Sequence, residues 1–293
     1  MSILLRTPSA GELAAITEEV GEWHTDSTPF QLHPGDIGWF GWRGDEVTAA
    51  ALRTWWRDGR LVAAGLLDGP GLLRLAVAPA AMTDPYVADA VASDIVHEDG
   101  RALPAGEADV EAPSGATLRD ALVTRGWTSG DEWTHLRRDL SRPITVPTDL
   151  RIEAVDARNA HLRTDVHRAA FVSEAFTDER WRSVAATPAY RSARCLVGLV
   201  GLVGLVGEVP AAAITVWSAG EGRPGIIEPM GVNPAQRGHG HGVAITLAGA
   251  AALREMGCSS ARVGTPSTNT AAVATYVAAG FEAWATVDDL RRA

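Results

Sequence analysis

Apolar positions along the chain fall into short runs with a two-residue period and longer runs with a helical period. Together they predict strands and helices in alternation. Ile3–Arg6 reads as a strand, and the helix after it starts at Ser9 with Glu12 at capping-box spacing. Pro29, Pro34, Gly35, Gly38, Gly41 and Gly44 mark a Trp-rich stretch expected to be turns. Strands are predicted at 59–67 and 72–77, a helix at 85–99, a short strand at 109–112, a helix at 114–125 and a strand at 133–140. Ser141–Pro147 carries two prolines and reads as a linker. The pattern then restarts, with a strand at 150–155, helices at 157–171 and 178–186, and strands at 211–217 and 226–232. A helix at 242–256, a strand at 261–265, a helix at 269–279 stopped by Gly280-Phe281, and a last strand complete it. Between Cys195 and Gly207, four Leu-Val-Gly copies break the two-residue period of a strand, so a strand followed by a lengthened loop is expected there.

The restart is a repeat. Residues 59–79 align with 208–234, both ending in Val-x-Pro (Val77/Pro79 and Val232/Pro234), and 118–129 align with 272–283. The expected organisation is a first domain at 1–142, a linker at 143–149 and a second domain at 150–293. The copies differ in the loop after the Val-x-Pro strand. The second copy reads Ala-Gln-Arg-Gly-His-Gly-His-Gly, whereas the first reads Ala-Ala-Met-Thr-Asp-Pro-Tyr-Val. Arg237, Gly240 and Gly242 thus stand against Met82, Pro85 and Val87. A glycine-rich bend opening a helix presents unpaired N–H groups and the positive end of the macrodipole, which suits a phosphate or pyrophosphate. Arg237 adds a fixed charge. In the first copy Pro85 removes a donor and Val87 blocks close approach, so no phosphate binding is expected there.

Composition narrows the chemistry. The 293 residues are 46% apolar and 21% charged, a globular balance. All 26 basic residues are arginine. The missing lysine excludes a Schiff base to pyridoxal phosphate and a Walker A loop. Net charge is −10, divided as −11 over residues 1–150 and +1 over 151–293. An acidic first half disfavours nucleic acid and favours cationic ligands. Two cysteines make no disulfide framework, the N-terminal segment lacks a basic signal region, and the longest apolar run falls short of the roughly 20 residues that span a bilayer. No membrane association is expected, and the expected compartment is cytoplasmic.

The loop Arg237-Gly238-His239-Gly240-His241-Gly242, followed by Asn269-x-x-Ala272-x-x-x-Tyr276-x-x-x-Gly280-Phe281, resembles the GNAT superfamily of acyl-CoA-dependent N-acyltransferases over residues 150–293. The first half resembles the fold weakly and lacks both motifs, with Gly115 at the Asn269 position and Leu122 at the Tyr276 position. The resemblance implies an α/β (α+β) protein of two tandem GNAT-like domains, each a mixed, mostly antiparallel sheet flanked by helices. It implies an acetyl-CoA-dependent N-acetyltransferase, with acetyl-CoA as co-substrate and no metal, moving acetyl to an amine of a small molecule by direct attack on the thioester. The alternative is a non-catalytic acyl-CoA-binding or regulatory module, and a homodimer is left open.

The resemblance also distributes roles. Glu228, four residues before Val232, is the candidate base; Leu73 matches it in the first copy, and the bland reading is a carboxylate in solvent or paired with Arg223. Tyr276 is the candidate acid for the leaving thiolate, against an aromatic core position. Backbone groups of Met230, Gly231 and Val232 are candidates for the thioester carbonyl and the pantetheine amides. Arg237, Gly238, His239, Gly240, His241 and Gly242 are candidates for the diphosphate, and Asn269 either contacts the cofactor or caps its helix. His239 and His241 hold variable loop positions with no nearby carboxylate or cysteine, which disfavours a metal. Trp39, Trp42, Trp55 and Trp56 either line an acceptor pocket or pack in core and turns.

Overall fold

The computed structural model describes residues 2–97, 99–147, 149–201 and 208–293. The first half runs β1 (Ile3–Arg6), α1 (Leu13–Glu22), α2 (Pro34–Phe40), α3 (Asp45–Ala51), β2 (Leu52–Arg57), β3 (Arg60–Leu67), β4 (Leu72–Val77), α4 (Pro85–Val96), β5 (Ala108–Glu111), α5 (Thr117–Thr124) and β6 (Thr128–Asp139). The second runs β7 (Arg151–Ala154), α6 (Ala160–Phe171), α7 (Asp178–Ala186), β8 (Ala193–Gly201), β9 (Glu208–Ser218), β10 (Gly225–Val232), α8 (His241–Glu255), β11 (Ser260–Pro266), α9 (Thr270–Ala278) and β12 (Glu282–Arg292).

All these strands join one mixed sheet in the order β1-β2-β3-β4-β5-β12-β6-β11-β10-β9-β8-β7. The repeat is visible in its pairing: β3–β4 and β9–β10 are antiparallel, and β4–β5 and β10–β11 are parallel. Each half, however, gives its last strand to the other. β12 lies between β5 and β6, while β6 runs antiparallel to β11 along its length. The cores follow the exchange. Leu290 of β12 packs with Trp55, Leu75, Ile95 and Leu122 of the first half, and Leu136 of β6 packs with Ile214, Ile245 and Leu253 of the second. The alternation of apolar and polar residues predicts a strand without saying which half it will pair with.

The stretch expected to be turns contains α2, and the structure corrects that expectation. Pro34 takes the first helical turn, where its missing N–H costs nothing. His33 accepts the Gly35 N–H through Nδ1 at 2.9 Å, and Asp36 accepts the His33 N–H at 2.7 Å, a capping box built on histidine. The glycines serve the close approach of this helix to β9. A Cβ on Gly35 or Gly38 would lie 2.6 or 2.5 Å from the Trp217 side chain. The same part of the chain clasps the second half by hydrogen bonds. Arg262 of β11, buried, donates to the Thr28 and Thr25 carbonyls at 3.0 and 2.7 Å, and Arg223 pairs with Glu22 at 2.7 Å. The pattern also assigned no element to α3 or β2. Two Leu-Val-Gly copies extend β8, with a register shift between Gly198 and Leu199, and the rest of that repeat lies outside the described residues.

Candidate active site

The glycine loop connects β10 to α8. Gly240 is the N-cap in the left-handed region (φ 81°), Gly238 has the same φ, and no side chain caps the helix. Residues 237–240 are exposed, and a Cβ on Gly238 or Gly240 would meet nothing within 4 Å. These glycines therefore serve backbone conformation and an open approach. Gly242 differs: its Cβ would lie 3.0 Å from Thr275 and 3.4 Å from Val232, so the helix start is drawn against α9 and the end of β10. An uncapped fifteen-residue helix, free N–H groups and the exposed Arg237 suit the diphosphate of a coenzyme. His239 and His241 stack on each other with ring centroids 5.8 Å apart.

The sister loop has no such opening. Asp84 caps α4, its carboxylate accepting the Tyr86 and Val87 N–H groups at 2.9 and 3.4 Å, and it pairs with Arg57 at 2.5 Å. An internal carboxylate therefore takes the place an anion would occupy.

β10 becomes irregular where the chemistry is expected. It pairs with β11 only at Gly225↔Ala261 and Ile226↔Arg262 before the strands part. Its register on β9 shifts between Ile227 and Met230, spanning the cis Glu228–Pro229 peptide. Met230, Gly231 and Val232 pair with Ile214, Ala213 and Ala212 on the β9 side, which leaves the β11 side of β10 without a strand partner. A Cβ on Gly231 would lie 2.7 Å from Ala170, so α6 closes over this segment. The Glu228 carbonyl accepts the Trp217 indole N–H at 2.8 Å, which anchors the backbone at the irregularity.

The Glu228 side chain enters a cavity of about 190 Å³ between the halves, shared with Asp36, Arg74, Glu111, His135 and Asp289 among others. Burial pushes its carboxyl up to about 7, against the pull of Arg74 and helped by Asp36 and Asp68. Arg223, the other partner expected for Glu228, is engaged by Glu22 instead. Tyr276 is buried on α9 beside Phe281, and burial, then the Glu228 charge, push its phenol above the ordinary value. A phenol so shifted stays protonated at neutral pH. Asn269 caps α9, its side chain accepting the Ala272 N–H at 3.2 Å.

Most of the cavity wall was not read as functional in the sequence. Asp36 belongs to the unexpected helix α2, Arg74 and Glu111 to β4 and β5, and Trp133, His135 and Asp289 to the exchanged strands β6 and β12. The available signal was a carboxylate at an inward position of an otherwise apolar strand. Trp39, Trp42, Trp55 and Trp56 do not line this cavity. Trp55 is fully buried and donates to Asp94, Trp56 lies under Arg6, Trp39 stacks on Phe176, and Trp42 lies under Arg180. Among the described residues no group of three or more His, Cys, Asp or Glu is placed to hold a metal ion, and no helix is long and apolar enough to cross a membrane.

Residues 160–281 match the family model described as the acetyltransferase (GNAT) family. A mycothiol acetyltransferase of Thermobispora bispora is 43% identical over 72 residues, 25% of this chain and 24% of that relative, so the alignment spans about a quarter of the relative's length. Among solved structures, a tandem GNAT protein from the clavulanic acid biosynthesis pathway matches with a TM-score of 0.63 at 16% identity over 99% of this chain and 98% of its own. A GNAT-family acetyltransferase from Colwellia psychrerythraea matches with a TM-score of 0.60 at 12% identity over 99% and 98%. The glycine loop, the parting strands and the duplicated pairing agree with these matches: residues 160–281 are similar to the GNAT acetyltransferase family, and the whole chain shares the fold of tandem GNAT proteins.

Proposed function

We propose that the chain is an acetyl-CoA-dependent N-acetyltransferase acting on a small-molecule amine, with its one coenzyme site in the second half. The observation that carries this reading is Glu228: a carboxyl held near neutrality in a cavity, where β10 parts from β11 and a buried phenol lies close by. Arg237 and the N–H groups of residues 238–242 would hold the diphosphate, and free main-chain groups of Met230–Val232 would meet the carbonyl and amides of the bound thioester. That thioester supplies the acetyl group. An amine is mostly an ammonium ion at neutral pH, and the acidic wall favours its arrival in that form. Glu228, as carboxylate, takes one proton so that the nitrogen can attack. Tyr276 gives its proton to the leaving sulfur and recovers one from the acylated nitrogen. One amide bond forms, one thioester bond breaks, and the proton left on Glu228 passes to solvent.

Thiol release from acetyl-CoA, measured over a panel of small amines, tests the reading. Amine-dependent release is expected. Tight coenzyme binding with no release for any amine would favour the non-catalytic module.

A further inference from the structure

The cavity beside Glu228 holds more carboxyl groups than one acceptor nitrogen requires, with Asp36, Glu111 and Asp289 also in its wall. Among the described residues Arg74 is its only arginine, and it is committed: Nη1 donates to Glu111 at 2.9 Å and Nε to Asp68 at 3.0 Å. Asp289, on the exchanged strand β12, is 8% exposed and pairs with no arginine among the described residues. Among the described residues its side chain accepts one hydrogen bond, from the neutral Trp133 indole at 2.8 Å. A buried carboxylate satisfied only by a neutral donor is costly unless a cation completes it. Two neutral groups of the wall also lack partners. Gln31 is 5% exposed, its Oε1 accepts the Val77 N–H at 3.1 Å, and its Nε2 has no partner. His135 stacks on Phe30, and its Nδ1 is buried without a partner.

Resting on the acetyltransferase reading, we infer that the acceptor is a small dication, a diamine whose reacting nitrogen meets Glu228 while a second ammonium is held by Asp289. Placement supports this. Glu228 and Asp289 line one cavity from strands β10 and β12, with β11 and β6 between them in the sheet, so one chain with an ammonium at each end can meet both. The volume agrees, because about 190 Å³ is somewhat more than the roughly 150 Å³ that holds a six-atom ring. An organic dication suits the wall better than a metal ion, since no three ligating side chains converge there among the described residues. The exchange of β6 and β12 thus supplies the specificity end of the pocket, and β10 supplies the reactive end.

The test compares 1,4-diaminobutane, n-butylamine and 4-aminobutanoate by thiol release with the full-length protein. The diamine is expected to exceed butylamine at least tenfold in kcat/KM, with the amino acid below both. Asp289→Asn should collapse the diamine-to-monoamine ratio toward one. Butylamine or 4-aminobutanoate acetylated as well as the diamine would overturn the dication while leaving the acetyltransferase standing. If no amine releases thiol, calorimetry with 1,4-diaminobutane decides: binding lost in Asp289→Asn supports the cation site, and no binding to the wild type overturns it.

Discussion

Replacing Glu228 by Gln keeps the size and polarity of the side chain and removes only its ability to take a proton. The wild-type carboxyl sits at about 7, raised by burial and by Asp36 and Asp68, so the fraction competent as a base rises through that pH. An acceptor amine with an ordinary value near 10 is free to about one part in 10³ at pH 7, which the base must offset. If the ammonium binds and Glu228 deprotonates it, wild-type kcat/KM should climb tenfold per unit below pH 7 and level off from pH 7.5 to the amine's own value. Glu228→Gln should lose the levelling near pH 7, fall by about 10²–10⁴-fold at pH 7, and rise tenfold per unit throughout as free amine accumulates. The two profiles should therefore converge at high pH. The assay is thiol release at saturating acetyl-CoA from pH 5.5 to 9.5, with calorimetry confirming that the variant still binds the coenzyme. Equal turnover, or a loss with the wild-type pH profile retained, would refute proton removal by Glu228.

Further outcomes follow from the same geometry. Tyr276→Phe should lower kcat by about 10²-fold with little change in acceptor KM, read from steady-state kinetics. Gly38→Ala would usually favour a helix, yet its Cβ would meet Trp217 at 2.5 Å, so urea unfolding should show a loss of about 1–3 kcal/mol. The protein without acceptor should lose stability as pH rises from about 4 to 7. Glu228 and Asp289 have folded values of about 7 and 6, above their ordinary 4.5 and 3.8, so the folded state binds more protons across that window. The loss should be roughly a few kcal/mol by chemical denaturation, extend to about pH 8 because burial also pushes the Glu111 carboxyl up to about 8, and shrink in Asp289→Asn.

The glycine loop and the helix starts around it were legible because the local rules there agree. Glycines at Gly238 and Gly240 mark left-handed backbone, Asn269 marks a helix start, and Tyr276 and Gly280 keep helical spacing. The wall of the cavity beside Glu228 was not legible, for two physical reasons. Strand exchange is a choice between two equivalent pairings, and nothing in the alternation of β6 or β12 distinguishes them. Helix α2 was hidden because its glycines answer to the Trp217 ring across the interface and not to a turn. The acidic charge of the first half was visible, but which of its carboxylates turn inward depends on where β5 and α2 lie relative to β10.

Calorimetric titration with acetyl-CoA addresses the coenzyme loop itself. One site per chain is expected, abolished by Gly240→Asp, which places a carboxylate at the opening much as Asp84 does in the sister loop. No heat, two sites per chain, or unchanged binding in Gly240→Asp would contradict it.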